Sequence, residues 1–332
     1  MFLESSPTPE YAPTTAMHEA FNRNTQGNSN LNRENALSIS ETATTVMPLW
    51  QTLIAAFIRR LSPEIGTATR TGSAHQINQD SVLDPGYGFP LVAVCDGISN
   101  SNHGEIASRA ALMPLATSRP TCGLDLERLA FSADAWVKES FALFKAGRAG
   151  QTTLLAATIK RGSVVDFINI GDSRAYLLRP KGFFNRRYVC EQITVDQTHG
   201  ERKKRVTYKN PASIRNDVMF QAVGAGLLAN EVKAQRRIIP PGGFILLATD
   251  GLYKGMGDDH CKQIACIAAC HTCADASQLA NCLVVAAAEQ FDTGDDISVA
   301  VIIPSYLLGI RWPYWLSVAV LMLISMIISI NC

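Results

Sequence analysis

The chain has 332 residues, 47% of them hydrophobic, and a formal net charge of +1. That length and apolar content suffice to bury a large core and exclude a fibrous or wholly disordered protein. With no excess of Lys and Arg, nucleic acid is excluded as a general partner, and any recognition of phosphate has to be local.

Residues 1–45 are rich in Ser, Thr, Asn, Pro and Glu and lack apolar periodicity, a composition that cannot offset its own ordering entropy, so a disordered extension is expected there. No basic, apolar and cleavable leader opens the chain, and the nine cysteines are odd in number, so reduced thiols in a cytoplasmic domain are expected. The apolar stretch MPLWQTLIAAFIRRL at 47–61 is long enough for three or four helical turns that dock on the domain or lie on a membrane surface.

From 68 to 304 short β-branched runs alternate with helical stretches. The clearest predicted strands are 91–96, 152–159, 164–170, 244–250 and 296–303, several of them apolar on both faces, as in a sheet covered on each side. Amphipathic helices are predicted at about 104–117, 126–145, 258–271 and 275–290. Helices that come in pairs between groups of strands point to a layered α+β domain. The basic, aperiodic stretch 198–219 reads as a surface insertion, either a solvated loop or a flap whose Lys and Arg attract acidic or phosphorylated substrates.

Cys261, Cys266, Cys270, Cys273 and Cys282, with His260 and His271, include one CxxC, yet they fall on two predicted helices where Cys acts as a small hydrophobe. The last segment, WPYWLSVAVLMLISMIISI at 312–330, carries no charge. At about 1.5 Å per residue it spans about 28 Å, the thickness of a hydrocarbon core. Trp312, Tyr314 and Trp315 beside Arg311 form an aromatic belt next to a positive charge, so a membrane helix with its N-terminal side in the cytoplasm is expected.

Asp80, Asp96, Asp250 and the pair Asp295–Asp296 each stand where an apolar strand starts or stops, two of them followed by Gly. Singly each is an ordinary turn. Four such carboxylate sites converging in one domain would repel one another unless a cation sat among them, and hard oxygen ligands suit Mg²⁺ or Mn²⁺.

The stretches GSAHQINQD (72–80), AVCDGISNSNHGEIAS (93–108), QTTLLAA (151–157), INIGDSRAYLLR (168–179), ITVDQT (193–198), FQAVG (220–224), LLATDGLYKGM (246–256) and GDDISVAVI (294–302) resemble, in order, the motifs of the type 2C metal-dependent protein phosphatases, the PPM family, particularly its bacterial members. The resemblance covers about residues 65–303. It implies an α/β/β/α sandwich of two antiparallel sheets flanked by helix pairs, to which one C-terminal membrane helix is added here. It further implies two Mn²⁺ or Mg²⁺ ions: Asp96 would bridge both, Gly97 would bind one through its carbonyl, Asp250 and Asp295 would bind the other, and Asp80 would anchor metal-bound water.

The implied reaction is hydrolysis of phosphoserine or phosphothreonine on cytoplasmic proteins by a hydroxide bridging the two ions. Phosphorylated proteins are then the substrates, a cognate Ser/Thr kinase is the counterpart, and membrane lipid is a partner through the C-terminal helix. The alternative is a membrane-anchored phosphatase-like module that binds phosphorylated partners with little turnover.

Departures from the family pattern are specific. His75 stands where the family places a phosphate-binding Arg, and so is expected to take the catalytic role of holding the substrate phosphate. The loop after Asp96 lacks the family's proton-donating His, and His103 is the nearby substitute or merely an exposed helix-terminal residue. Asp296 replaces an Asn, adding a charge that tightens metal binding or raises a neighbour's pKa. The stretch 144–150 offers no carboxylate for a third ion, and Gly171 to Arg174 read as a turn between strands. The expected organisation is an extension at 1–45, a catalytic domain at 46–305 and an anchor at 306–332.

Overall fold

The computed structural model describes residues 63–84, 91–98, 103–118, 125–143, 150–159, 163–181, 187–204, 215, 218–270, 275–291 and 294–304. The predicted extension at 1–45, the apolar segment 47–61, the anchor at 306–332 and residues 205–214 of the predicted insertion lie outside the described residues. Among the described residues no helix is long and apolar enough to cross a membrane.

Among the described residues, ten strands form two five-stranded antiparallel sheets. One runs β1 (Glu64–Arg70), β10 (Ile297–Ile303), β9 (Phe244–Ala248), β6 (Arg174–Pro180), β7 (Tyr188–Gln192), and the other β2 (Ser81–Leu83), β3 (Leu91–Cys95), β4 (Leu154–Ile159), β5 (Val164–Ile170), β8 (Gln235–Ile238). Helices α1 (Gly104–Thr117) and α2 (Leu126–Leu143) cover the β3-containing sheet. A short α3 (His199–Lys203), capped by Thr198, begins the predicted insertion, and α4 (Asp250–Tyr253) follows β9 directly. The pair α5 (His260–Cys270) and α6 (Ala276–Gln290) covers the other sheet.

Strand alternation explains the layers. In β3, Leu91, Ala93 and Cys95 pack under α1 and α2, whereas Val92 and Val94 enter the layer between the sheets. In β9, Phe244, Leu246 and Ala248 face the α5–α6 side, and Ile245 and Leu247 meet the opposite sheet. The central strands are therefore apolar on both faces because both faces are covered.

The predicted strands at 91–96, 152–159, 164–170, 244–250 and 296–303 are β3, β4, β5, β9 and β10, and the four predicted helices are α1, α2, α5 and α6. On α5, Cys261 packs against the core while Cys266 and Cys270 are exposed. The start of α6 is fixed by a capping box in which Asp275 accepts from the Gln278 amide at 2.7 Å. That start presses on β1: a Cβ at Gly66 would stand 2.1 Å from the Ser277 nitrogen, so glycine is required for the approach.

Phe167 of β5 is fully buried between the sheets. Phe167→Ala should cost about 3–5 kcal/mol of unfolding free energy, read as a lower urea midpoint. A loss under about 1 kcal/mol would mean that the two sheets are not held by this layer.

Candidate metal centre

One rim of the sandwich collects carboxylates from both sheets. Ser81 pairs with Cys95, so Asp80 and Asp96, one residue beyond each, flank the same end of the β2–β3 pair. On the other sheet Asp250 follows β9 after Thr249, and Asp295 and Asp296 precede β10.

Thr249 ties the two sides together. Its hydroxyl accepts the Ser298 amide at 2.9 Å and donates to Asp80 Oδ2 at 2.7 Å, a bond from one sheet to the other. Asp96 is held through its backbone: its N–H donates to Thr153 Oγ1 at 2.9 Å, and its carbonyl accepts from Thr152 Oγ1 at 2.7 Å and the Thr153 amide at 2.8 Å. Its carboxylate is thereby left for the rim. The next residue, Gly97, lies against the start of α1, where a Cβ would come within 2.3 Å of the Gly104 carbonyl oxygen.

The carboxylates repel in a poorly hydrated place. Burial, opposed by the Thr249 and Ser298 hydroxyls, then the charges of Asp250 and Asp296, hold Asp80 well above the usual carboxylate range. Burial again, then Asp250, Asp80, Asp172 and Asp295, does the same to Asp96. Asp295 is pushed upward by burial and Asp250, against the pull of Lys254, the Asp296 amide and His75. Asp172 was not among the residues the sequence assigned to the site. Burial and the Asp250 charge raise its carboxyl to about 6, so the GDSR turn contributes an acid to the rim as well as joining β5 to β6.

The rest of that turn is structural. Arg174 reaches Asp196 with Nε–Oδ1 at 3.1 Å and Nη2–Oδ2 at 2.8 Å, and its guanidinium lies 3.7 Å from the centroid of the Tyr253 ring. The Tyr253 hydroxyl donates to the Asp172 carbonyl at 2.9 Å, binding α4 to the turn.

The donor set is all oxygen, which fits Mg²⁺ or Mn²⁺ in kind. The carboxylates converge without closing on one point: among the described residues no three His, Cys, Asp or Glu side chains group tightly enough to enclose an ion. What lies between Asp250 and Asp295 is a stand-in cation. The Lys254 ammonium contacts Asp250 Oδ2 and stands 3.8 Å from Asp295 Oδ2.

The neighbouring acids Asp295 and Asp296 have different tasks. Asp296, 2% exposed, accepts the Gly72 amide at 2.8 Å through Oδ1, and the Gln79 amide at 2.7 Å and His75 Nδ1 at 3.0 Å through Oδ2. It organises the loop that carries Asp80 and orients the His75 ring, whose Nδ1 is 3.9 Å from Asp295 Oδ1. His103 is exposed at the start of α1 in a left-handed conformation, φ 65°, with its Nδ1 3.5 Å from Glu105 Oε1.

No protein-family model matches the sequence. A curated relative, the serine/threonine phosphatase stp of Listeria monocytogenes, is 25% identical over 219 residues, 59% of this chain and 80% of the relative. Among solved structures, the Mycobacterium tuberculosis serine/threonine phosphatase PstP/Ppp shares 24% identity with a TM-score of 0.56, covering 74% of this chain and 99% of that one. The catalytic domain of PstP in complex with two manganese ions shares 23% identity with a TM-score of 0.56, covering 73% and 98%. The two antiparallel sheets with their helices are thus the PPM phosphatase fold.

Because Asp172 binds its proton more tightly folded than unfolded, it contributes stability below the ordinary carboxylate range, and this is lost as pH rises to about 6. In chelator, Asp172→Asn should therefore melt higher than the parent chain at pH 7, by on the order of 1 kcal/mol or more, and the gap should shrink toward pH 4. Equal melting curves at pH 7 would remove Asp172 from the repelling cluster.

Proposed function

We propose that the chain is a metal-dependent protein phosphatase that hydrolyses phosphoserine and phosphothreonine on cytoplasmic proteins. The observation that carries this reading is the convergence of Asp80, Asp96, Asp250 and Asp295 from both sheets onto one rim where burial and mutual repulsion call for cations. The manganese-bound structural neighbour and the relatives' names support it.

Asp96 with the Gly97 carbonyl would hold one ion, Asp250 and Asp295 with Asp96 the other, and Asp80 would face them from its Thr249 hydrogen bond. Two divalent ions so held would supply a hydroxide nucleophile at neutral pH, so no side-chain nucleophile would be needed. The chain's own contribution is placement. Thr152 and Thr153 fix the Asp96 backbone, and Asp296 fixes the 72–79 loop and turns His75 toward the rim, where its ring can meet the substrate phosphate.

The uncharged 312–330 segment supports a further part of the reading, a single membrane helix that keeps the 46–305 domain at the cytoplasmic face, in contact with lipid. A Ser/Thr kinase acting on the same proteins is the natural counterpart. The rival reading, a phosphatase-like module that binds without turnover, loses ground because no proposed metal carboxylate is missing.

Asp96→Asn or Asp250→Asn should lower Mn²⁺-dependent turnover of a phosphothreonine peptide by roughly 100-fold or more. Activity that persists in both variants, or in chelator, would sink the two-metal reading, and inactivity of the parent chain with bound Mn²⁺ would favour the binding module. Separately, the full-length chain should sediment with membranes and a chain ending at 305 should remain in the supernatant. A full-length chain found in the soluble fraction would refute the anchor.

A further inference from the structure

The cation already present in the rim belongs to the chain. Lys254 lies four residues after Asp250, one helical turn on, so the geometry of α4 brings its ammonium onto the carboxylate that starts the same turn. It reaches the same Oδ2 oxygen of Asp250, and its arm extends to within 3.8 Å of Asp295. With Asp96, these are the side chains to which the proposed function gives one of the ions. A divalent ion there needs the carboxylate oxygens at about 2.0–2.2 Å, in the space the ammonium fills, so both cannot occupy the position.

We infer that Lys254 is an internal competitor for the divalent ion between Asp250 and Asp295, which enters only by displacing the ammonium and is therefore the more weakly held of the two. The inference rests on the two-metal reading above. The lysine side chain is half exposed, so it has room to leave toward solvent once an ion takes its place. Leaving has a price in lost ion pairing, and the ion's affinity is reduced by that amount. Among the described residues, the groups acting on the Asp80 and Asp96 carboxylates are the hydroxyls of Thr249 and Ser298 and other acids, with no ammonium of this kind. Two positions of unequal affinity follow from a single side chain.

The arrangement also gives the ion-free protein a use for the lysine. With one ammonium between two repelling carboxylates, the rim is held together before any ion arrives. Removing the charge should loosen the empty rim and tighten the filled one, two opposite effects that a merely structural lysine would not produce.

The experiment uses the full-length chain in mild detergent, purified with Mn²⁺, with bound metal withdrawn by a graded chelator and read by the paramagnetic signal of free Mn²⁺. The parent chain should release Mn²⁺ in two steps. In Lys254→Gln the weaker step should tighten by roughly tenfold while the tighter step changes much less. Lys254→Arg, which keeps the charge, should retain the weak step. Melting in excess chelator should be lower for Lys254→Gln than for the parent, and its gain on adding Mn²⁺ larger. Two release steps in Lys254→Gln that match the parent's, or equal tightening in Lys254→Arg, would overturn the role of the lysine and leave the two-metal reading standing. Absence of Mn²⁺ binding in all three proteins would overturn both.

Discussion

Everything at the rim depends on the repulsion among acidic side chains that the two sheets force together. The sandwich can sustain it because its stability is generated elsewhere, in the apolar layer between the sheets and the two layers under the helices. The rim spends part of that stability: carboxyls held above their ordinary range are groups that would rather be neutral, and a group in that condition is poised to accept a cation. Asp80 and Asp96 do not relax away from each other because Thr249, Thr152 and Thr153 hold their positions by direct hydrogen bonds.

The same economy separates Asp295 from Asp296. A buried carboxylate that accepts three hydrogen bonds is committed to structure, and Asp296 is spent on the loop 72–79 and on His75. Asp295 is about one-third exposed and turns toward Asp250 and Lys254. The charge of Asp296 still reaches Asp80, so one residue both fixes the loop carrying Asp80 and raises that carboxyl's hold on its proton. His75 inherits its orientation from the same carboxylate, which ties the place where a phosphate would be received to the place where ions would be held.

The sequence made the interior of the fold readable and the edges obscure. β3, β4, β5, β9 and β10 are runs with both faces covered, and apolar text of that length has few other readings. β1, β2, β7 and β8 are the outer strands of their sheets, and YVCEQ or QRRI carries too little apolar signal to stand out. β6 is interior, but its start was absorbed into the GDSR turn. The carboxylates at strand ends were visible because Asp stops an apolar run, whereas Asp172 followed a glycine turn and looked like one. Thr249, Thr152 and Thr153 are ordinary strand residues by composition. Their roles are contacts between strands, from one sheet to the other for Thr249 and within one sheet for Thr152 and Thr153, and residue spacing along one strand does not encode the partner on another. The four-residue spacing of Asp250 and Lys254 is a sequence signal for the ion pair, but it does not say that the same ammonium also approaches Asp295.

A charge count connects these pieces. Two divalent ions would balance Asp80, Asp96, Asp250 and Asp295, leaving Asp172 and Asp296 against Lys254, so a loaded rim would keep about one negative charge before a substrate arrives. A phosphate dianion would then gain from any further positive charge at the rim. His75 offers one when protonated, and a Lys254 displaced from Asp250 offers another without depending on pH near neutrality. Under the proposed two-metal reading, the ammonium that an arriving ion displaces from Asp250 would be left beside the rim that His75 lines, as a second cation for a phosphate.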